Sequence, residues 1–369
     1  MKRLLSIICP VIALAILFGC AGTLPPENLE ILPSETGETT ESSATQAPPA
    51  PTEPTPEEFV LSFVGDCTFA DNVKNGNYYA SFYNTIKDDY DFPFQNVREY
   101  FLHDDLTLVN LECALTDSNP TEQEMESLKT KRFRFRGYPK YVNILTRGGV
   151  EFANLANNHT KDFGAQGLID TQNILKENNI ARAATGGSCL VSTQRGLTVG
   201  IVAYYFTFSE ENIRSKIQSL REQGAQLVIV SIHWGDEGKY KPNNNQKHYG
   251  QLAIDAGADI VYGHHSHTLQ PVEYYNGGVI YYSLGNFSFG GNYNPADKDT
   301  AILQQKVLLW PDGTVTLSSL HIIPCRLSSD YTRNNYQPIV YKDDDPGYKR
   351  ALEKLNGTYA GPDVFVPYA

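Results

Sequence analysis

Seven short apolar runs, most of them closed by a polar turn, constrain this chain more than any other feature. They cover residues 59–64, 106–111, 150–155, 200–205, 227–232, 260–262 and 279–283. The first ends in Gly65-Asp66, the second in Glu112 and the third in Ala156-Asn157-Asn158-His159. The fifth ends in His233-Trp234-Gly235, the sixth in Gly263-His264-His265-Ser266-His267 and the seventh in Leu284-Gly285-Asn286-Phe287. Runs of this length bounded by turn residues read as buried strands. Helix-like spacing fills residues 167–175, 213–223 and 245–256 between them. Strand-helix-strand alternation predicts an α/β sheet with helices on its faces. Open sheets of that kind place ligands at the carboxyl ends of strands, where these polar turns fall.

The turns deliver a consistent set of donors. Asp66, Glu112, Asn158, His233, His265 and His267 offer oxygen and imidazole ligands. Such a mixture suits one or two divalent ions of Mn, Zn or Fe, and the absence of a cysteine cluster argues against a structural zinc. His159, next to Asn158, is placed to give a proton to a leaving group. His265 and His267 are one residue apart, so on an extended segment they share a face and His264 points behind them. Glu237 is expected to orient His233 or to contact substrate, and Asn286 to hold a turn or touch ligand. Asp162 and Gly164 are read as shaping a helix start. For Asp66 the alternative is a helix cap. Cys67 and Cys113 each follow a site acid, which leaves open a disulfide beside the site or two small buried thiols.

Taken in order, Val64-Gly65-Asp66, Asn110-Leu111-Glu112, Ala156-Asn157-Asn158-His159, His233-Trp234-Gly235-Asp236-Glu237, Gly263-His264-His265-Ser266-His267 and Tyr282-Ser283-Leu284-Gly285-Asn286-Phe287 resemble the motifs of the CapA family. That is a bacterial capsule-synthesis, poly-γ-glutamate family related to the calcineurin-like metallophosphoesterases. The resemblance spans roughly residues 59–289. It implies a four-layer sandwich of two mixed β-sheets flanked by helices, with metal held at strand ends. Asn158-His159, His233 and His265-Ser266-His267 match the corresponding metallophosphoesterase motifs. The first motif departs from them: Asp66-Cys67-Thr68 has threonine where active phosphoesterases carry histidine. The bridging acid also departs, being Glu112 rather than aspartate.

The ends of the chain add a location. Met1-Lys2-Arg3 precedes an apolar stretch shorter than the roughly 20 residues that span a bilayer. Leu17-Phe18-Gly19-Cys20 resembles a bacterial lipobox, which implies removal of residues 1–19 and lipid on Cys20. Residues 20–58 are rich in Pro, Thr, Ser and Glu and read as a tether with too little apolar surface to fold. The main domain is expected over 59–325 and a C-terminal extension over 326–369, with a hairpin at 301–310 and 315–323 and a helix near 348–355. The net charge of −12 excludes a nucleic-acid partner and requires that any anionic substrate be gripped locally. The expected protein is thus anchored on the outer face of the cell membrane. It would act on an anionic surface polymer, in the family's case poly-γ-glutamate, beside membrane-bound synthase subunits. It would do so by metal-assisted hydrolysis or transfer; the alternative is a non-catalytic polymer-binding or assembly partner.

Overall fold

The structure, a computed structural model, describes residues 54–72 and 81–364. The signal segment, Cys20 and most of the tether lie outside the described residues. Among the described residues no helix is long and apolar enough to cross a membrane.

In chain order the strands are β1 (Glu57–Thr68), β2 (Asp71–Asn72), β3 (Leu106–Leu111), β4 (Ala114–Leu115), β5 (Phe135–Gly137) and β6 (Phe152–Asn154). Next come β7 (Ala181–Ala183), β8 (Ser188–Ser192), β9 (Thr198–Tyr205), β10 (Leu227–His233) and β11 (Ile260–His264). The last are β12 (Val272–Tyr275), β13 (Gly278–Tyr281), β14 (Asn286–Phe289), β15 (Asp299–Leu309), β16 (Val315–Arg326) and β17 (Ile339–Val340). One sheet runs β17-β16-β15-β1-β3-β6-β7, with β14 joined to the end of β1. The other runs β12-β13-β11-β10-β9-β8, and β2, β5 and β4 make a small third sheet. In the first, β1, β3, β6 and β7 are parallel and β15 to β17 antiparallel. In the second, β9, β10, β11 and β13 are parallel between antiparallel edges β8 and β12.

The period of two along each strand sets the layers. Leu227 and Ile229 of β10 meet Phe59, Leu61 and Phe63 of β1 between the two sheets. Val228, Val230 and Ile232 face the other way, onto Ile213, Ile217 and Leu220 of helix Glu210–Glu222 and Ile254 of helix Asn244–Asp255. On the far side of the first sheet, Val64, Val109 and Leu111 pack with Ile144 and Leu145 of helix Val142–Gly148 and Leu175 of helix Gly164–Glu177. The result is the expected order of helices, sheet, sheet, helices. Each fully buried Leu, Ile, Val or Phe contributes about 1.5–3 kcal/mol by leaving water.

Two details at the top of β1 position the strand-end donors. The strand does not stop at Gly65-Asp66 but continues to Thr68, with a register shift between Phe63 and Asp66. No helix begins directly after Asp66, so it caps none. The approach of β14 explains the glycine: a Cβ on Gly65 would lie 2.2 Å from the Gly285 carbonyl oxygen, and Asp66 N–H donates to that oxygen at 2.8 Å. Gly65→Ala should therefore cost about 1–3 kcal/mol, read as a shift in urea midpoint. An unchanged midpoint would show that β14 yields freely.

The C-terminal segment completes the first sheet. The hairpin is β15–β16, and the helix begins at Pro346, capped by Asp345. Cys67 and Cys113 are both free thiols buried in the apolar layer under the first sheet. The disulfide reading is thereby replaced by that of two small hydrophobes.

Candidate metal centre

Both sheets direct the carboxyl ends of their parallel strands to one place. Asp66 lies near the end of β1, Glu112 just past β3, and Asn158 and His159 in the turn after β6. His233 and His264 are the last residues of β10 and β11, paired side by side. The sheets are tied at this level by the Tyr262 hydroxyl on β11, which donates to the Val64 carbonyl of β1 and lies 3.1 Å from that of Leu108 on β3.

The donors fall into three overlapping groups whose ligand atoms lie within 4.8 Å of one another: Asp66, Glu112 and His267; Glu112, His233 and His265; Glu237, His265 and His267. Glu112 and His233 are fully buried, and His233 Nε2 lies 3.5 Å from Glu112 Oε1. Both oxygens of Glu112, Asn158 Oδ1, His233 Nε2, Glu237 Oε2 and His265 Nδ1 are buried without a hydrogen-bond partner. These are most of such side-chain atoms among the described residues. Buried polar groups are paired more than nine times in ten, and each orphan costs about 1–3 kcal/mol. Ligand atoms of Glu112, His233 and His265 lie within 4.8 Å of one another, as do those of Glu237 and His265, and such a concentration of unpaired oxygen and nitrogen donors fits a bound cation.

The electrostatics point the same way. Burial and the neighbouring Asp66 charge push the Glu112 carboxyl well above its ordinary range. Burial opposes ionisation of Asp66 too, but hydrogen bonding and charge from His267, with the Asn110 amide, hold its carboxyl below the usual value. Burial and the adjacent His265 press His233 well down. Burial and His267 push His265 down to about 3. His267 is the exception: against its burial, the charges of Glu112 and Asp66 raise it to about 10. An acid-rich pocket thus leans on one imidazolium for compensation.

The surrounding residues brace these donors. Asn110 donates to Asp66 Oδ1 at 2.8 Å, lies 3.3 Å from His233 Nδ1, and accepts from Asn154 at 2.7 Å and Asn157 at 3.2 Å. Asn286, Cα partner of Asp66 across β14, places its Oδ1 2.8 Å from His267 Nδ1. It touches a donor rather than holding a turn. His264 turns its Nε2 to the Ser231 hydroxyl at 3.1 Å and its Nδ1, buried without a hydrogen-bond partner, toward Asp66 Oδ1 at 3.6 Å. His265 and His267 do converge, but not by extended alternation. Their φ angles are +93° and +55°, so a left-handed turn brings both rings round. Glu237 faces His265 and His267 rather than His233. Thr68 turns its hydroxyl to the Glu112 carbonyl at 3.3 Å.

His159 Nε2 stands 3.9 Å from Glu112 Oε1, and its Nδ1 bonds Asp162 Oδ2 at 2.7 Å. Asp162 also accepts from Phe135 N–H at 2.7 Å and pairs with Lys131. It therefore orients His159 rather than capping the helix, whose N-cap is Phe163. The Phe135 ring packs on His159 with centroids 4.1 Å apart. Burial lowers His159 against the opposing charge of Asp162. Sequence reasoning assigned neither Asn110 nor Asp162 a role at the site. The signal for Asn110 was present, an amide inside a strand that otherwise holds only Leu, Val and one Thr.

A family model for the bacterial capsule synthesis protein PGA_cap matches residues 60–291, a span that holds every donor named above. The chain is 28% identical over 322 residues to the capsule biosynthesis protein CapA of Bacillus anthracis, covering 79% of this chain and 75% of that protein. It is 31% identical over 266 residues to the PGA biosynthesis protein CapA of Bacillus subtilis, covering 66% of each. A probable polyglutamine synthesis accessory protein of Mycobacterium tuberculosis is 28% identical over 260 residues, 61% of this chain and 66% of that one.

Proposed function

We propose, because this chain belongs to the bacterial capsule synthesis protein PGA_cap family, that it acts in the synthesis or export of an anionic capsule polymer of the poly-γ-glutamate type, through metal-assisted hydrolysis or transfer at a phosphoester or amide. The relatives named for capsule and PGA biosynthesis support the pathway. The orphaned donors of Glu112, Asn158, His233 and His265 carry the chemistry.

In this reading Asp66, Glu112, Asn158, His233, His265 and His267 hold one or two ions of Mn, Zn or Fe. A bound ion would polarise a phosphoryl or acyl oxygen and lower the pKa of water. Asn110 keeps Asp66 and His233 in place, and Asn286 does so for His267. His159, held through Nδ1 by Asp162, offers Nε2 as the atom that delivers or accepts a proton. Lipid on Cys20 would fix the protein to the outer face of the cell membrane, within reach of membrane-bound synthase subunits and the growing polymer. A non-catalytic role in polymer binding or assembly is favoured by one observation, the threonine hydroxyl at Thr68 where a ligand is expected.

A panel of phosphoesters and γ-glutamyl amides on the metal-loaded protein decides between the two. His233→Ala and His265→Ala should each lower turnover at least about 100-fold with metal affinity falling in parallel. Polymer binding without metal or turnover in the unsubstituted protein would establish the assembly role instead.

A further inference from the structure

We infer that Glu237 supplies the metal-ligating carboxylate that makes good the missing histidine of the first motif. The inference rests on reading the strand-end cluster as a metal centre and assigns to Glu237 a place within it.

The Asp66, Glu112 and His267 group offers three donors. Four are the minimum for a closed zinc-like site, and harder ions take six. Thr68 cannot supply the next one. It is fully buried, its hydroxyl is engaged with the Glu112 carbonyl, and a neutral hydroxyl is a weak ligand. Glu237 can. Its Oε2 is buried and unpartnered, and its carboxylate lies within 4.8 Å of the ligand atoms of both His265 and His267. His267 belongs also to the Asp66 group and His265 to the His233 group, so Glu237 borders one donor of each.

The fold holds it there. After His233 the chain reverses at Gly235, whose φ is +83°, where a Cβ would meet the Gln246 side chain at 2.5 Å. The next residues are fastened to the turn that carries the histidines. Gly238 N–H donates to the Ser266 carbonyl at 2.8 Å, and the Thr268 hydroxyl and Gln270 amide donate to the Lys239 carbonyl at 2.7 and 2.9 Å. Glu237 is thus carried on the same rigid unit as His265 and His267. Exchanging an imidazole for a carboxylate also changes the preference of the position. Asp66, Glu112, Glu237 and His267 are oxygen-rich, which favours Mn²⁺ over Zn²⁺. Glu112, Asn158, His233 and His265 are richer in nitrogen.

The test is calorimetric titration of the chelator-stripped full chain, in detergent, with MnCl₂, together with Mn²⁺ EPR. The unsubstituted protein should take up two ions and show spin coupling. Glu237→Ala and the near-isosteric Glu237→Gln should each retain one ion at unchanged affinity, weaken the other by about 100-fold or more, and lose the coupling. His233→Ala should lose the complementary ion. Neither Glu237 variant should lower the metal-free melting temperature, because Oε2 makes no hydrogen bond there. Uptake of two coupled ions by both Glu237 variants, as in the unsubstituted protein, would overturn the assignment while leaving the metal centre standing. If the unsubstituted protein takes one ion, Glu237→Gln must weaken it at least about tenfold or the assignment fails. If it takes none, the metal centre and the assignment fail together.

Discussion

Glu112→Gln is expected to reverse the order of stabilities between chelator and metal. In the metal-free protein Glu112 is a fully buried carboxylate with neither oxygen partnered. The amide has the same shape and never ionises, whereas the carboxyl is buried either charged or at the cost of taking up a proton on folding, so in EDTA the variant should be more stable by about 1–3 kcal/mol. With saturating Mn²⁺ the comparison inverts. A ligand that binds only the folded state adds about 2.7 kcal/mol at a hundredfold excess over Kd. The variant forfeits most of that gain, because Glu112 is shared by the Asp66 group and the His233 group. Its metal affinity should fall about 100-fold or more. Urea unfolding of both proteins, with and without Mn²⁺, reads all four stabilities. A variant that is less stable in both conditions would mean that Glu112 is a structural residue. Equal stability in both would mean that its carboxylate matters to neither state.

Lys354→Met should cost about 3–5 kcal/mol, the usual effect of removing one partner from a buried ion pair. Lys354 lies in helix Pro346–Leu355 with 1% of its surface exposed. Its ammonium lies 2.8 Å from both oxygens of Asp297 and 2.7 Å from Asp299 Oδ2, over the ring of Tyr240 at 4.5 Å. Asp299 has further partners in Arg350, at 2.6 and 2.7 Å, and the Tyr341 hydroxyl at 2.8 Å. Asp297 gains no such second cation, and burial already raises its carboxyl against the opposing Lys354 charge. Methionine fills the same space, so the loss isolates the charge from the packing. Adding Asp297→Asn should restore about half or more of it, since the unpaired carboxylate is then gone. The exposed pair of Lys349 and Glu353 on the same helix is the control, worth under about 1 kcal/mol. A loss of that size from Lys354→Met would show that the helix docks by its apolar face alone.

The fold was legible wherever a local period carried it. The run 106–111 is β3 to the residue, and the helix expected over 245–256 is Asn244–Asp255. Alternation carried the α/β sheet with helices on its faces, because burial on both faces of a parallel sheet writes itself as continuous apolar runs; the four-layer order came only with the resemblance that the ordered motifs carry. Boundaries at the site were less legible. β1 runs on through Gly65 and Asp66 because β14 pairs with it there, a contact between residues some 220 positions apart in the chain that no local pattern records.

The same division holds at the centre. The sequence by itself determined which residue types gather at the strand ends: Asp66, Glu112, Asn158, His159, His233, His265 and His267, each at or just after the close of an apolar run. Only the tertiary structure decided how they meet. Asn110 reaches Asp66 and His233 because β3 lies beside β1 and its sheet faces β10. Asp162 faces His159 rather than a helix end because the small third sheet draws it to Phe135. Glu237 joins His265 and His267 because Gly235 reverses the chain and Ser266 holds it. Donor identity is a property of single positions. Orientation depends on which strands are neighbours and on turns with positive φ, and the long-range pairing that sets both leaves no periodicity in the chain.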